Sequence, residues 1–435
     1  MRIIRACREM GITSASVFSE ADREALYVSL ADESYCIGGP RPISSYLNAK
    51  AVVSAALACK AEAIHPGYGF LSENAEFAAL CASYDIAFIG PDAETIKKMG
   101  DKEEARRTMR EAGVPVIPGS DIAVDYYQAK RSAGEIGFPI LIKARSGGGG
   151  RGIRLVKNEA ELEEAFRGAS SEAQAVFGDG AVYLEKYLHP VKHVEAQILA
   201  DNYGNIVFLG ERDCSVQRKN QKLIEESPCS TLPKETRRRM AEVSIMAARA
   251  VGYKNAGTIE YLLDNDGRFF FMEMNTRLQV EHPVTEMVTG IDMVKWQIRI
   301  AAGSPLEFAQ GDIMPAGCAI ECRINAEDPY NNFRPASGRI ERLHIPGGPW
   351  VRFDTGIYQG YAIPAFYDSM IGKLIVYART RDEAIRKIRS ALSELTINGI
   401  DTNADFQMEI LSEDAFVNGA YTTDFIENLR QNREA

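Results

Sequence analysis

The stretch PILIKARSGGGGRG, residues 139–152, decides the fold, together with the apolar run IRLV that follows it at 153–156. Both apolar runs are typical of strands, and the glycines between them would join the two strands by a loop. Glycine is costly to order, so four in succession need a physical reason, and close approach of backbone amides to an anion is such a reason. Lys143, directly before the loop, has the reach to contact a phosphate oxygen. We therefore predict a flap over nucleotide phosphates, the alternative being a flexible hairpin turn.

Two other glycine-rich phosphate loops do not fit this stretch. Gly147, Gly149 and Gly152 formally match GxGxxG, but residues 153–156 indicate a strand where a dinucleotide-binding loop requires a helix. The sequence also contains neither GxxxxGKS nor GxxxxGKT, which a P-loop would need. The loop therefore matches neither of these two classes of phosphate-binding loop.

The composition of the 435 residues is that of an ordinary globular protein with two to four domains. A net charge of −10 argues against non-specific binding of nucleic acid, which needs a positive surface. The eight cysteines are scattered without a CxxC pair, and HExxH is absent, so we expect reduced thiols and no zinc. No apolar run approaches 18 residues and no signal-peptide core is evident, so we expect a cytoplasmic protein without a membrane partner.

The order of elements indicates an α/β protein. An amphipathic helix at 1–10 is followed by strands at 13–18, 63–64 and 86–90 with helices between them, which predicts a doubly wound parallel sheet. A helix is predicted at 92–113, a linker at 114–119 and a small strand–loop–strand–helix–strand unit at 120–190. Residues 190–330 are strand-rich with a helix at about 235–251, and an α/β segment follows at about 338–430. Because such a sheet ordinarily opens with a strand, we expect the first strand to be missing.

Two glutamates and an asparagine on neighbouring predicted strands suit a metal ion. Glu260 lies in GTIEYL, and Glu273 and Asn275 lie in FFFMEMN, where the period of two places both on one face. Magnesium prefers hard oxygen ligands together with substrate phosphates. Exposed glutamates are the alternative, but the apolar neighbours favour burial, and unpaired buried carboxylates would be costly.

The segments next to these acids suit the handling of an anion. In TRLQVEHP, residues 276–283, Arg277 can fork onto a planar anion, and Glu281 is a candidate general base. The basic segment 212–222 also indicates anion binding, since nucleic acid would require a wider basic field or interleaved aromatic residues. Taken alone, either segment would be a solvated surface, so the prediction depends on their nearness to the metal site.

Seven stretches together resemble the biotin carboxylase family of the ATP-grasp superfamily. They are HPGYGFLSEN (65–74), MGDK (99–102), PILIKARSGGGGRG (139–152), ERDCSVQRKNQK (211–222), EMNTRLQVEHPVTE (273–286), ECRINAEDP (321–329) and YDSMIGKL (367–374). The resemblance implies an α/β and α+β chain with three parts. These are a doubly wound N-terminal domain at 1–91, an ATP-grasp domain at 92–330 whose glycine-loop lid spans about 117–188, and a C-terminal α+β domain at 331–430.

The same resemblance implies the role of each site residue. It places ATP on Lys102, Lys143, Gly149, Gly150, Glu185, Lys186, Leu188, His193, Gln217, Asn220, Glu260 and Glu273. It places magnesium or manganese, with two ions expected, on Glu260, Glu273 and Asn275, and bicarbonate on Lys222, Arg277, Gln279 and Val280. Biotin is expected beside Tyr68, Gly69 and Arg323, and the catalytic residues are expected to be Lys222, Arg277, Glu281 and Arg323.

The implied reaction carboxylates biotin through carboxyphosphate. The chain carries no Ala/Val-Met-Lys-Met biotinylation site, so biotin is expected on a separate biotin carboxyl carrier protein, with carboxyltransferase subunits as further partners. Acetyl-CoA carboxylase of fatty-acid synthesis is the expected system, while another acyl-CoA carboxylase or a two-subunit pyruvate carboxylase stays open. Two other functions are weighed: another ATP-grasp ligase, which would lack biotin-stimulated ATP hydrolysis, and a non-catalytic assembly subunit, which would bind nucleotide without turnover.

Two features depart from the family pattern. Asn220 stands where many members carry a histidine near the ribose, so we expect an altered affinity for the nucleotide with activity retained. Members begin with a strand ahead of the helix found here at 1–10, so we expect a less stable N-terminal sheet. Arg2 and Arg5 lie in a region that resembles the dimer surface of the family, and a homodimer is expected.

Overall fold

The computed structural model describes residues 1–120, 122–123, 125–145 and 153–434. The N-terminal unit contains α1 (Arg2–Glu9), β1 (Ala15–Phe18), α2 (Leu26–Leu30), β2 (Glu33–Cys36), α3 (Ala49–Ala58), β3 (Ala63–Ile64), α4 (Ala75–Ser83) and β4 (Ala87–Phe88). β1 pairs with β2, and β3 pairs with β4, both in parallel, which is the strand direction predicted from the alternation of strands and helices. Within the described residues the four strands form two separate two-stranded sheets and not one continuous sheet.

Two helices occupy the segment for which a single helix was predicted. They are α5 (Ala93–Gly100) and α6 (Lys102–Glu111). Asp101 separates them with an extended backbone, and its carboxylate accepts hydrogen bonds of 3.0 Å from the amides of Glu103 and Glu104. The prediction of one continuous helix at 92–113 was therefore wrong, because an aspartate that caps a helix N-terminus begins a new helix at that point.

The small unit predicted at 120–190 is a three-stranded antiparallel sheet covered by two helices. Its elements are α7 (Tyr126–Ile136), β5 (Ile140–Ala144), β6 (Ile153–Val156), α8 (Leu162–Phe177) and β7 (Val182–Lys186). The strands lie in the order β6-β5-β7, and Lys143 is paired with Ile153 where β5 and β6 meet the loop. The strand–loop–strand arrangement is thus present, while the loop itself, residues 146–152, lies outside the described residues.

An eight-stranded antiparallel sheet forms the centre of the molecule. In spatial order its strands are β12 (Phe269–Asn275), β11 (Asn255–Asp264), β8 (Val191–Ala200), β9 (Ile206–Arg218), β10 (Gln221–Ser227), β13 (Cys318–Asn325), β20 (Met370–Ala378) and β18 (Val351–Thr355). The first part comprises β8 (Val191–Ala200), β9 (Ile206–Arg218), β10 (Gln221–Ser227), α9 (Lys234–Ala250), β11 (Asn255–Asp264), β12 (Phe269–Asn275), α10 (His282–Thr289) and α11 (Met293–Ala301). The helix predicted at about 235–251 corresponds to α9, whereas α10 and α11 were not predicted.

The C-terminal part completes this sheet and adds its own core. It comprises β13 (Cys318–Asn325), β14 (Glu327–Asp328), β15 (Arg334–Pro335), β16 (Gly338–Arg339), β17 (Arg342–His344), β18 (Val351–Thr355), β19 (Ala362–Ile363), β20 (Met370–Ala378), α12 (Arg381–Glu394), β21 (Thr396–Asn398), α13 (Ala404–Ile410), α14 (Asp414–Val417) and α15 (Phe425–Glu434). Because β10 pairs with β13 and β13 pairs with β20, the sheet runs without interruption from the predicted ATP-grasp domain into the C-terminal part. A rigid surface therefore supports side chains that are far apart in the sequence. Among the helices in the described part of the chain, none combines the length and the apolar character that crossing a membrane requires.

Candidate active site

Lys222 lies at the centre of a buried group of carboxylates on the central sheet. Its ammonium group donates hydrogen bonds to Glu195 (2.6 Å), Glu260 (3.0 Å) and Glu281 (2.6 Å). These three residues come from β8, β11 and the N-terminus of α10, and only 12% of the Lys222 side chain is exposed. Burial opposes the charged lysine, but the surrounding acidic groups hold the pKa of Lys222 well above its usual range. The lysine is thus a permanent cation in a site rich in negative charge.

The two predicted metal-binding glutamates face each other across neighbouring strands. Glu260 of β11 is paired in register with Glu273 of β12, and Asn275 lies two residues further along the same strand. Burial and the charge of Glu260 raise the pKa of Glu273. Against the effect of burial, Lys222 and His193 hold the pKa of Glu260 well below its usual range.

This donor set fits a hard divalent cation. The Glu260 and Glu273 carboxylates lie side by side, with Glu260 buried and Glu273 half-buried. The raised pKa of Glu273 reflects too little nearby positive charge to offset its burial. His193, which is expected near the ribose, lies with its Nε2 atom 3.1 Å from the Glu260 carboxylate. The structure therefore brings His193 to the acidic end of the site.

Arg277 is held at the edge of the same site by the N-terminal unit. Its Nε atom donates to the Glu73 carboxylate (2.8 Å), and its Nη2 atom donates to the side-chain oxygen of Asn275 (2.9 Å). Glu73 also accepts a hydrogen bond of 3.0 Å from the backbone amide of Thr276. These contacts link the HPGYGFLSEN stretch to the predicted anion-binding segment, and Glu73 was not among the predicted site residues.

Glu281 is bound on both sides by cations. Lys222 contacts one carboxylate oxygen, and the Nη2 atom of Arg323 donates to the other at 3.0 Å. Burial opposes ionisation, but Lys222, Arg323 and Arg212 hold the pKa of Glu281 well below its usual range. Arg323 also binds Glu225 at 2.6 Å, and burial raises the pKa of Glu225 to about 7. Glu281 is therefore ionised throughout the neutral range.

The three-stranded unit with β5, β6 and β7, which is predicted to be the lid, presents a second set of charged groups. Lys143 of β5 is hydrogen-bonded to Glu185 of β7, and Lys186 donates to the backbone carbonyls of Gly137 (3.0 Å) and Phe138 (2.9 Å). Burial raises the pKa of Tyr183, the cross-strand neighbour of Lys143, and the charges of Glu185 and Glu273 raise it further.

The predicted lid and the predicted metal-binding glutamates face the same region. Lys102, the first residue of α6, is close enough to Glu273 to lower the pKa of that carboxyl group. Leu188 follows β7 and is half-buried. Two of the predicted phosphate-binding residues, Gly149 and Gly150, lie outside the described residues.

The predicted biotin-binding residues lie next to the predicted bicarbonate-binding segment. Tyr68 is partly exposed, and the ammonium group of Lys373 lies 5.9 Å from the centre of its ring. The same ammonium group donates to the Val280 carbonyl at 2.5 Å. Gly69, with a φ of +85°, has open space where a side chain would begin, so it leaves room beside Tyr68.

Asn220 lies at the exposed tip of the hairpin that joins β9 to β10. Lys219 and Asn220 form a two-residue turn with φ values of +47° and +63°, and Gln217 is paired with Lys222 just inside it. Asparagine adopts this left-handed conformation more readily than other residues with side chains. The turn thus gives a backbone reason for asparagine at this position.

Glu195, Arg212, Glu225 and Glu73 complete the site but were not predicted individually. A signal for Glu195 exists in the sequence, because His193, Glu195 and Gln197 recur with a period of two in VKHVEAQILA. Three polar residues that recur on one face of a largely apolar strand indicate a buried polar site.

Comparisons with known proteins agree with this geometry. Residues 1–96 match the biotin carboxylase N-terminal domain, residues 101–309 the ATP binding domain of the carbamoyl-phosphate synthase L chain, and residues 321–428 the biotin carboxylase C-terminal domain. Biotin carboxylase 1 of Bacillus subtilis is 52% identical over 429 residues, which are 98% of this chain and 95% of the relative.

Solved structures with the same fold carry ligands of the expected kind. The biotin carboxylase–βγ-ATP complex from Campylobacter jejuni matches with a TM-score of 0.94 and 49% identity, over 98% of this chain and 96% of that one. The biotin carboxylase domain dimer of the Hydrogenobacter thermophilus 2-oxoglutarate carboxylase was solved with MgADP, ADP and bicarbonate. It matches with a TM-score of 0.93 and 50% identity, over 98% of this chain and 94% of that one. The fold is the ATP-grasp fold, and this chain belongs to the biotin carboxylase family.

Proposed function

We propose that this chain uses ATP and bicarbonate to carboxylate biotin that is carried on a separate carrier protein. The observation that carries the proposal is the placement of Lys222, Gln279 and Glu281 in one buried group beside the facing carboxylates of Glu260 and Glu273. An anion bound by Lys222, Gln279 and Glu281 therefore lies next to the two carboxylates that would bind a metal–nucleotide complex. This is the arrangement that ATP-dependent activation of bicarbonate requires.

The first step is capture and deprotonation of bicarbonate. Lys222, Arg277 and the amide of Gln279 bind its oxygens, and the backbone of Val280 borders the same pocket. Glu281 accepts the bicarbonate proton, because its carboxylate is ionised and lies within hydrogen-bonding distance of Lys222. The anion that results is the nucleophile of the next step.

The second step is phosphoryl transfer. A carbonate oxygen forms a bond to the γ-phosphorus of ATP, the bond to the bridging oxygen breaks, and ADP leaves with carboxyphosphate as the other product. Lys102 and Lys143 bind the phosphate oxygens, Glu185, Lys186 and Leu188 border the adenine, and Gln217 and Asn220 lie toward the ribose. Glu260, Glu273 and Asn275 would hold magnesium or manganese, two ions in our proposal, whose charge offsets the negative charge of the transferring group.

The third step moves the carboxyl group to biotin. Carboxyphosphate divides into carbon dioxide and phosphate, and phosphate takes the proton from the biotin nitrogen, which then attacks carbon dioxide. Arg323 stabilises the negative charge on the biotin ureido oxygen, beside Tyr68 and Gly69. Because Arg323 is positioned by Glu225 and Glu281, it needs little rearrangement when that charge develops.

The direct test supplies free biotin, ATP, magnesium and labelled bicarbonate to the purified chain. We expect acid-labile labelled carboxybiotin, one ADP for each molecule formed, and ATP hydrolysis that requires bicarbonate and is stimulated by biotin. Bicarbonate-dependent ATP consumption without carboxybiotin would contradict the proposal in favour of another ATP-grasp ligase. Nucleotide binding without any turnover would contradict it in favour of a non-catalytic subunit.

A second prediction concerns the metal. Glu273→Gln keeps the size of the side chain but removes the charge that faces Glu260, so the concentration of magnesium that gives half-maximal activity should rise about 10- to 100-fold. Titration with Mn²⁺, followed by its electron paramagnetic resonance signal in the presence of ADP, should show the same weakening.

The matched control for the metal prediction is Glu211→Gln. Glu211 is a buried glutamate of the same central sheet, bound to Arg237 at 2.7 Å, and it is not part of the predicted metal site. Its replacement should leave the magnesium requirement unchanged. Equal shifts in both variants would show that Glu273 acts through general stability and not through a metal.

We further propose the partners of the chain. The carrier of biotin is a biotin carboxyl carrier protein, carboxyltransferase subunits accept the carboxyl group, and acetyl-CoA carboxylase of fatty-acid synthesis is the system. A homodimer is expected by analogy with the Hydrogenobacter thermophilus domain dimer. Arg2 is bound within the chain to Glu286 (2.8 Å) and Asp292 (2.5 Å), whereas half of the Arg5 side chain is exposed. Arg5 is therefore the better placed of the two to reach a second copy.

A further inference from the structure

Arg212 is a buried charged side chain to which the proposed reaction gives no role. It projects from β9 and is fully buried. All three nitrogen atoms of its guanidinium group donate hydrogen bonds. Its partners are the side chains of Glu195, Gln197 (2.7 Å), Thr285 (2.8 Å), Thr258 (3.2 Å) and Gln279 (2.8 Å). An arginine with so many directed contacts fixes the orientation of the groups around it.

The contact with Gln279 determines which end of that amide faces the site. Arginine is a donor only, so Gln279 must turn its side-chain oxygen toward Arg212. The Glu260 carboxylate is an acceptor only, and the Gln279 nitrogen donates to it at 2.7 Å. An amide nitrogen carries two hydrogens, so one N–H remains beside Glu260 to donate to an anion. Arg212 therefore makes Gln279 a donor toward the bicarbonate pocket.

Arg212 acts on Lys222 through the same kind of contact. Its Nε atom binds one oxygen of Glu195, and the other oxygen of Glu195 accepts the hydrogen bond of 2.6 Å from Lys222. Glu195 and Arg212 are fully buried, so neither exchanges its partner for water. The cation and the amide proposed to hold bicarbonate are thus both positioned by one guanidinium group.

We infer that Arg212 is a positioning residue that sets the affinity for bicarbonate by orienting Gln279 and Glu195. The inference rests on the proposed function and deepens it, since it names the group that fixes the donor pattern of the anion pocket. Arg212 reaches no substrate itself, so its effect appears in bicarbonate binding and not in nucleotide binding.

The first test is Arg212→Lys. Lysine keeps the charge but replaces the planar fork with a single ammonium group, which cannot hold Glu195 and Gln279 at once. We expect KM for bicarbonate to rise about 10- to 100-fold, KM for ATP to change less than about threefold, and kcat at saturating bicarbonate to fall much less than kcat/KM. The control is Thr285→Val, which removes one contact of Arg212 without touching Gln279 or Glu195, and should change KM for bicarbonate less than about threefold.

A second pair of variants tests the amide orientation without altering the buried arginine. Gln279→Glu places a carboxylate oxygen where the amide donates, whereas Gln279→Ala only removes the donor. If Arg212 sets the polarity of this position, KM for bicarbonate rises more in Gln279→Glu than in Gln279→Ala. If KM for bicarbonate rises equally in the two variants, or less in Gln279→Glu, the inference is overturned. Because both variants keep Arg212, this test holds even if Arg212→Lys does not fold.

The failure of this inference is distinguishable from failure of the proposed function. If the wild-type chain forms no carboxybiotin, the proposed function fails. If it forms carboxybiotin but Arg212→Lys raises KM for ATP as much as KM for bicarbonate, Arg212 is a general structural residue and the inference fails. A double-mutant cycle of Arg212→Lys with Gln279→Ala should give effects on KM for bicarbonate that are clearly not additive. Additive effects would contradict a shared mechanism.

Discussion

Replacement of Lys222 by methionine is expected to lower kcat/KM for bicarbonate by about 10²- to 10³-fold, because the pocket loses the cation that faces the substrate anion. The same change leaves Glu195, Glu260 and Glu281 close together without their common partner. Removal of one partner from a buried ionic group typically costs about 3–5 kcal/mol of the free energy of unfolding. Steady-state kinetics at saturating ATP, together with urea denaturation, measure the two effects.

Lys192→Met separates the catalytic effect from the loss of stability. Lys192 is another buried lysine of the central sheet, bound to Asp213 at 2.9 Å, with its ammonium group 3.8 Å from the centre of the Tyr421 ring. Its replacement should reduce the free energy of unfolding by a similar amount but leave KM for bicarbonate unchanged. If Lys192→Met and Lys222→Met raised KM for bicarbonate equally, the role of Lys222 in anion binding would be excluded.

The order of elements was predictable because periodicity is local. The strand containing Glu260, the strand containing Glu273 and the helix at 234–250 follow from apolar patterns of a few residues, and the structure has them at the predicted positions. The break at Asp101 was missed because helix propensity continues on both sides of it, and only the capping hydrogen bonds distinguish two helices from one. The extent of the central sheet was also not predictable, since strand order depends on pairing between distant segments.

The site residues that belong to a recognisable sequence motif were predictable. The buried residues that only position other side chains were not. Glu281, Arg277 and Glu273 stand in one continuous segment, so the resemblance to the family reached them together. Arg212 and Glu195 contribute through contacts between residues that are far apart in the sequence. Arg212 is separated from Glu195 by 17 positions and from Gln279 by 67 positions. Such contacts exist only when the strands are paired, and the basic segment 212–222, taken alone, is typical of a solvated surface.

Glu281→Gln is expected to reduce kcat by about 10²- to 10⁴-fold, the usual contribution of a general base. The amide has the size of the carboxylate but cannot accept the bicarbonate proton, whereas Lys222 and Gln279 still bind the anion. KM for bicarbonate should therefore change far less than kcat. Glu226→Gln is the matched control, because Glu226 is buried and bound to Arg381 at 2.8 Å on a neighbouring part of the sheet, and its loss should leave kcat almost unchanged.

The pH dependence of stability gives a second measure of the same carboxylate. Lys222 and Arg323 hold the pKa of Glu281 below its ordinary value of 4.5, so folding favours the ionised form. A carboxylate with a depressed pKa contributes stability that is fully present above its unfolded pKa and is lost as the pH falls toward the folded one. The difference in the free energy of unfolding between wild type and Glu281→Gln should thus be constant at neutral pH and shrink below about pH 4.5. If the difference stayed the same at low pH, folding would not lower the pKa of Glu281. Lys222 and Arg323 would then not stabilise its ionised form, and the proposed role of Glu281 as the base that takes the bicarbonate proton would lose its support.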